Sequence, residues 1–157
     1  TMVGPLISAG DVDRIETWVR EAVERGAKVL CGGVRQSSQV FAPTVLTDVP
    51  RDVKLCAEEA FAPVVIVERV DSVADALDLV NDSAFGLQAG LFTPRLEEAL
   101  TAFDRLDVGG LLINDVPTYR IDHMPYGGVK YSGLGREGPR YAIEDMTELR
   151  LLVVRRS

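Results

Sequence analysis

The sequence predicts an α/β fold: a mostly parallel sheet with flanking helices, plus a C-terminal strand free for assembly. Short apolar runs alternate with helical periodicity from Ser8 to Ile113, the pattern of βαβ units. The run Val64-Val65-Ile66-Val67 is unbroken and branched, as in a strand buried on both faces of a parallel sheet. With 46% apolar and 26% charged residues, the chain can build a core. Its 157 residues suit one domain, or a piece of a larger protein, better than two domains. The expected division is residues 1–147 as one body and 148–157 as an assembly strand.

Ser8 and Asp11 have capping-box spacing, and Ile15, Trp18, Val19, Ala22 and Val23 recur on one helical face that Gly26 ends. Lys28 to Cys31 reads as a short strand. Val40 to Leu46 reads as a second, and Pro43 within it argues for edge positions. Ser72 caps a helix whose inward side is Val73, Ala76, Leu77 and Val80, and Gln88 to Phe92 is the next strand. Thr93-Pro94 gives a hydroxyl cap with proline at the first helical position, followed by the stripe Leu96, Ala99, Leu100 and Phe103. Leu111 to Ile113 is a strand, Asn114 to Gly138 a long loop of the functional kind, Pro139 to Met146 a short helix, and Glu148 to Val154 a terminal strand.

A formal charge of −7, from 17 basic and 24 acidic residues, argues against nucleic acid as partner. No apolar run is long enough to span a bilayer and the first residues do not read as a secretion signal, so no membrane association and a cytoplasmic location are expected. Two cysteines, Cys31 and Cys56, suit a reducing compartment. With one histidine, a metal site is not expected.

Gly133-Leu134-Gly135-Arg136-Glu137-Gly138 fits G-x-G-x-x-G, but residues 127–132 do not read as a strand feeding it and no acid follows at the required distance. The dinucleotide reading is rejected. His123 beside Asp122 reads as a loop histidine, because adjacent residues rarely face each other. The acids after Cys56 are expected to raise its pKa. Glu58-Glu59 is either a solvated face or has one acid accepting from ligand hydroxyls with Phe61 as a flat wall. Arg120, between Tyr119 and Tyr126, is either a loop anchor or a grip for an anion.

Taken in order, Gly4-Pro5-Leu6-Ile7-Ser8, Gly26-Ala27 to Gly32-Gly33, Pro43-Thr44-Val45-Leu46, Glu58-Glu59-Ala60-Phe61-Ala62-Pro63-Val64, Asn81-Asp82, Gly86-Leu87, Ile113-Asn114 and the run from Pro125 to Gly138 resemble the C-terminal third of the NAD(P)-dependent aldehyde dehydrogenase superfamily. The resemblance implies that the family's catalytic cysteine, general-base glutamate and most of its Rossmann domain lie upstream. No catalytic residue is therefore expected in this chain, and the chain alone should be inert. In the complete enzyme a cysteine thiolate would attack the aldehyde, hydride would pass to NAD or NADP, and water would hydrolyse the thioester to a carboxylic acid.

By position in E-x-F-x-P, Glu59 resembles the acid that bonds the nicotinamide ribose, and Phe61 the aromatic that places the ring. Ala62 departs from the family's glycine; a positive φ there would cost about 1 kcal/mol. Asn114 and residues 127–138 resemble the scaffold beneath the substrate tunnel, with glycines at close approaches. Residues 117–126 resemble the tunnel wall. Arg120 and Tyr126 are the substrate-binding candidates there, and Arg120 hints at a small polar or anionic aldehyde, unless Asp115 or Asp122 neutralises it. The terminal strand implies a homo-oligomer. The rival class is a stand-alone module of the same fold that binds or associates without catalysis.

Overall fold

In the computed structural model, which describes residues 3–156, Ser8 opens α1 (Ala9–Glu24) with both halves of a capping box. Its Oγ accepts from Asp11 N at 3.2 Å, and Asp11 Oδ2 accepts from Ser8 N at 3.1 Å. Val12, Ile15, Trp18, Val19 and Ala22 form the inward stripe; Val23 falls outside it. The turn after the helix uses Gly26 at φ +109. The described chain divides into two compact units, the first ending at Val70 and the second starting at Asp71.

In the first unit β1 (Lys28–Cys31), β2 (Thr44–Thr47) and β3 (Val64–Val67) form one sheet in that order, β1 antiparallel and β3 parallel to β2. This corrects the edge reading of the second strand. Pro43 stands one residue before the ladder, so its missing N–H costs nothing, and β2 is central. β1 and β3 are the edge strands, and β3 departs from its expected burial. Its Val65 and Val67 are exposed while Val64 and Ile66 face the core, so it is covered on one face, not two. Between β2 and β3 lies the short α2 (Lys54–Ala57). Phe41, Ile15, Leu46 and Val12 are fully buried, each stabilising the unit by about 1.5–3 kcal/mol.

The second unit contains α3 (Val73–Asn81), β4 (Phe85–Gly86), β5 (Gln88–Leu91), α4 (Leu96–Arg105), β6 (Gly110–Ile113), β7 (Val129–Lys130) and α5 (Pro139–Asp145). β5 and β6 run parallel around α4, a βαβ unit, whereas β4 and β7 are antiparallel. Across both units the strand pairings are therefore evenly mixed and not mostly parallel. Ser72 caps α3 as expected, but only Leu77 of its stripe is fully buried, and Val80 is exposed.

α4 begins at Leu96 with Arg95 as its N-cap, later than Thr93-Pro94 suggests. Thr93 Oγ1 accepts from Arg95 N at 3.1 Å and donates to Glu98 at 2.5 Å. That helix turns Ala99 and Ala102 inward and leaves Leu96, Leu100 and Phe103 uncovered. The expected stripe is offset because two alanines allow close packing on the other side. Asn81 ties the two helix ends together: Nδ2 donates to Arg105 O at 2.7 Å and Oδ1 accepts from Asp107 N at 2.8 Å. Residues 147–156 carry no helix or strand and are exposed; a strand requires a ladder partner, and this segment finds none among the described residues. Among the described residues, no helix is long and apolar enough to cross a membrane.

Candidate functional site

The segment after α2 alternates between core and solvent. Ala60 and Ala62 pack against the hydrophobic cluster of the first unit, leaving Glu59 and Phe61 exposed. Ala62 does not have a positive φ, so the strain considered for it does not arise, and its methyl contributes to packing. The left-handed residue is Phe61, at φ +46, a conformation that costs an L-residue about 1–2 kcal/mol and is common where function dictates the backbone. Arg14 Nη2 holds this turn by donating to Ala60 O at 2.9 Å.

Phe61 is 68% exposed and, with residues from Val3 to Ile7, lines a hollow of about 490 Å³. Glu59 is not among its lining residues, and its carboxylate accepts no hydrogen bond among the described residues. Glu59 is thus an unengaged acceptor two residues from a solvent-facing aromatic.

The other candidates, Arg120 and Tyr126, lie in the second unit. Arg120 Cζ sits 4.2 Å from the Tyr126 ring centroid, a cation–π contact, and Arg120 Nη2 donates to Glu137 Oε2 at 2.6 Å. Neither Asp115 nor Asp122 takes this guanidinium; Asp115 accepts from Val116 N instead. Tyr126 and Glu137 also pair through their backbones, with Tyr126 N donating to Glu137 O at 3.1 Å and Glu137 N to Tyr126 O at 2.6 Å. Arg136 Nη1 staples the same loop by donating to Gly128 O and Gly135 O.

Sequence reasoning missed Glu137 as Arg120's partner. Seventeen residues separate the two, and no helical or strand spacing connects them. The loop glycines divide by cause. A Cβ on Gly127 would meet Gly135 O at 2.7 Å, a close approach, whereas Gly133, Gly135 and Gly138 have positive φ. The short β7 does lie before the glycine-rich turn, contrary to the strandless reading. It spans two residues and pairs antiparallel, so no βαβ unit forms there for a dinucleotide.

Asn114, at φ +58, closes the strand that leads into this loop, and its Oδ1 accepts from Thr93 N at 2.9 Å. His123 is exposed. Both cysteines are exposed free thiols. The Cys56 pKa is raised first by desolvation around the sulfur, opposed by Arg51; the acid contributing is Glu68, not the adjacent Glu58 and Glu59. Among the described residues, no group of three His, Cys, Asp or Glu side chains could hold a metal ion.

The model of the aldehyde dehydrogenase family matches residues 1–152. The 3-sulfolactaldehyde dehydrogenase of Priestia aryabhattai is 51% identical over 154 residues, which are 98% of this chain and 32% of the relative. The crystal structure of aldehyde dehydrogenase 21 from Physcomitrella patens in complex with the reaction product succinate superposes with a TM-score of 0.95 at 44% identity, covering 99% of this chain and 32% of that one. Glyceraldehyde-3-phosphate dehydrogenase GapN from Methanocaldococcus jannaschii, complexed with NADP, gives a TM-score of 0.85 at 43% identity, covering 92% and 31%. The chain thus spans about a third of the length of the relatives it matches.

Proposed function

The chain belongs to the aldehyde dehydrogenase family, and from that premise we propose that it contributes cofactor- and substrate-binding residues to an enzyme that oxidises a small polar or anionic aldehyde to a carboxylic acid. NAD or NADP, when bound, takes up the hydride leaving the aldehyde carbon. Glu59 accepts from a ribose hydroxyl and Phe61 supplies the flat wall beside the nicotinamide. Both are positioning roles, and neither residue moves a proton.

Neither thiol here is suited to attack. The Cys56 pKa is pushed up, and Cys31 is an exposed strand-end thiol that meets Pro43 O at 4.0 Å with no cation beside it among the described residues. The attacking thiolate, with the thioester it forms, is therefore assigned to polypeptide outside these 157 residues. Two exposed free cysteines favour a reducing, cytoplasmic setting. The tail from Leu149 to Val154 is assigned to strand pairing with a second copy.

The observation that carries the substrate reading is Arg120, stacked on Tyr126 with its side chain 43% exposed, in the loop that resembles the tunnel wall. A fixed, solvent-reachable guanidinium is suited to sulfonate, phosphate or carboxylate recognition. That one relative acts on 3-sulfolactaldehyde supports the same class. The test is a substrate screen on the complete protein that carries this chain, following reduced nicotinamide. Turnover of 3-sulfolactaldehyde or a similar anionic hydroxyaldehyde in preference to an alkyl aldehyde of equal length is expected. Absence of any aldehyde-dependent reduction overturns the reading.

A further inference from the structure

Arg120 already has a counter-ion of its own. Glu137 reaches it from the far arm of the loop, and three contacts set the geometry: the ion pair at 2.6 Å, the stack on Tyr126 at 4.2 Å, and the backbone pairing of Tyr126 with Glu137. Only Nη2 is engaged. Nε and Nη1 donate no hydrogen bond among the described residues, so one edge of a five-donor group faces solvent. The side chains are 43% and 65% exposed, and exposed pairs of this kind exchange partners at little cost.

From this geometry we infer that Glu137 is a specificity-determining positioning residue. Its carboxylate offsets the charge of Arg120 and thereby sets how strongly the loop prefers anionic over neutral aldehydes. The inference rests on the reading of Arg120 as the anion grip. A bare guanidinium on this loop would attract any anion. Paired with Glu137 it is nearly neutral at a distance, so an incoming anion must take the free edge while a like charge lies a few ångströms away. Charge preference is then a balance between the two residues, and Tyr126 holds the guanidinium plane whether or not the carboxylate is present.

The test uses the complete protein carrying this chain, with E137Q, E137D and R120M, assayed on 3-sulfolactaldehyde and on lactaldehyde. These substrates share a carbon skeleton and differ in the sulfonate. E137Q is expected to lower KM for 3-sulfolactaldehyde by about three- to tenfold relative to lactaldehyde, with kcat little changed. That is the scale for removing one like charge at a partly exposed site. The gain should shrink as salt is added, and E137D should restore the parent ratio.

If R120M erases the preference while E137Q leaves it unchanged, the role of Glu137 is overturned and the substrate reading stands. If R120M leaves the preference intact, both fall. A rise in KM for both substrates in E137Q, with a lowered unfolding midpoint, assigns Glu137 a merely structural part and also overturns the inference.

Discussion

Arg14 and Ala60, 46 residues apart, are joined by a 2.9 Å hydrogen bond from the guanidinium Nη2 to the carbonyl oxygen between Glu59 and Phe61. Arg14 is itself held on α1 by Asp11, 3.4 Å away, and by the Trp18 ring, 4.6 Å from its Cζ. The helix thus fixes the turn that presents both cofactor candidates. Replacing Arg14 with methionine keeps the stem over Trp18 and removes the donor. A charged donor to a carbonyl contributes about 1.5–3 kcal/mol, less here because the side chain is 30% exposed. R14M should raise KM for the nicotinamide cofactor by about tenfold, since 1.4 kcal/mol is a factor of ten, while KM for the aldehyde changes little. Initial-rate kinetics with each substrate varied in turn would show the split, and an unaltered cofactor KM would remove Arg14 from this role.

That contact also shows where reading the sequence stops. The capping box at Ser8 and Asp11, the strand from Val64 to Val67 and the cap at Ser72 are legible because the residues that decide them lie within a turn of one another. The central place of β2 is not legible, because Pro43 looks like a ladder residue until the register shows it one position outside. Nor is the offset of α4, where two alanines outweigh Leu96, Leu100 and Phe103 in setting the packed side. Among the candidate residues, Glu59 and Phe61 in the first unit and Arg120 and Tyr126 in the second could be named by pattern and resemblance. Arg14 and Glu137, which hold them, could not, because their contacts cross 46 and 17 residues with no local periodicity.

The capping box makes a pH-dependent prediction. The Ser8 side chain, by hydrogen bonding, holds the Asp11 carboxyl below its ordinary value of 3.8, with Arg14 adding to the effect. A carboxyl depressed on folding stabilises the fold fully above its ordinary value, and that contribution is lost as pH falls through the lower folded value. Ser8→Ala should lower the unfolding midpoint by a few degrees at neutral pH, and the gap to the parent should narrow below pH 3.8. Thermal unfolding of parent and variant across acid pH checks this. A gap that is constant down to the most acid point would show that Asp11 is not linked to the cap.

Asn114 combines a left-handed backbone with an acceptor, two demands that few residues meet together. Three substitutions separate them. Asn114→Gly keeps the backbone conformation and loses the bond from Thr93 N. Asn114→Asp keeps an acceptor and tolerates the conformation. Asn114→Ala fails on both counts and should cost about 2–3 kcal/mol, the sum of a left-handed penalty and a lost hydrogen bond. The expected order of stability in denaturant melts is parent, then Asp, then Gly, then Ala. Alanine matching glycine would show that the positive φ carries no cost.

The tail supplies the last prediction. Leu149, Leu151, Leu152, Val153 and Val154 are 104%, 89%, 86%, 77% and 77% exposed, an apolar run that a folded protein does not normally leave in water. Alternation in a strand would place Leu149, Leu151 and Val153 on one apolar face and Arg150, Leu152 and Val154 on the other, which suits a strand laid against another subunit. Pairing of that kind depends on backbone donors, so proline should break it where a polar side chain only weakens it. In the complete protein, at least one of Leu151→Pro and Leu152→Pro should shift sedimentation toward smaller species, because neighbouring N–H groups of a strand point to opposite sides and one of the two faces the partner. A parent protein that sediments as a monomer at high concentration, or proline variants that both leave the assembly intact, would show that this segment does not join the subunits.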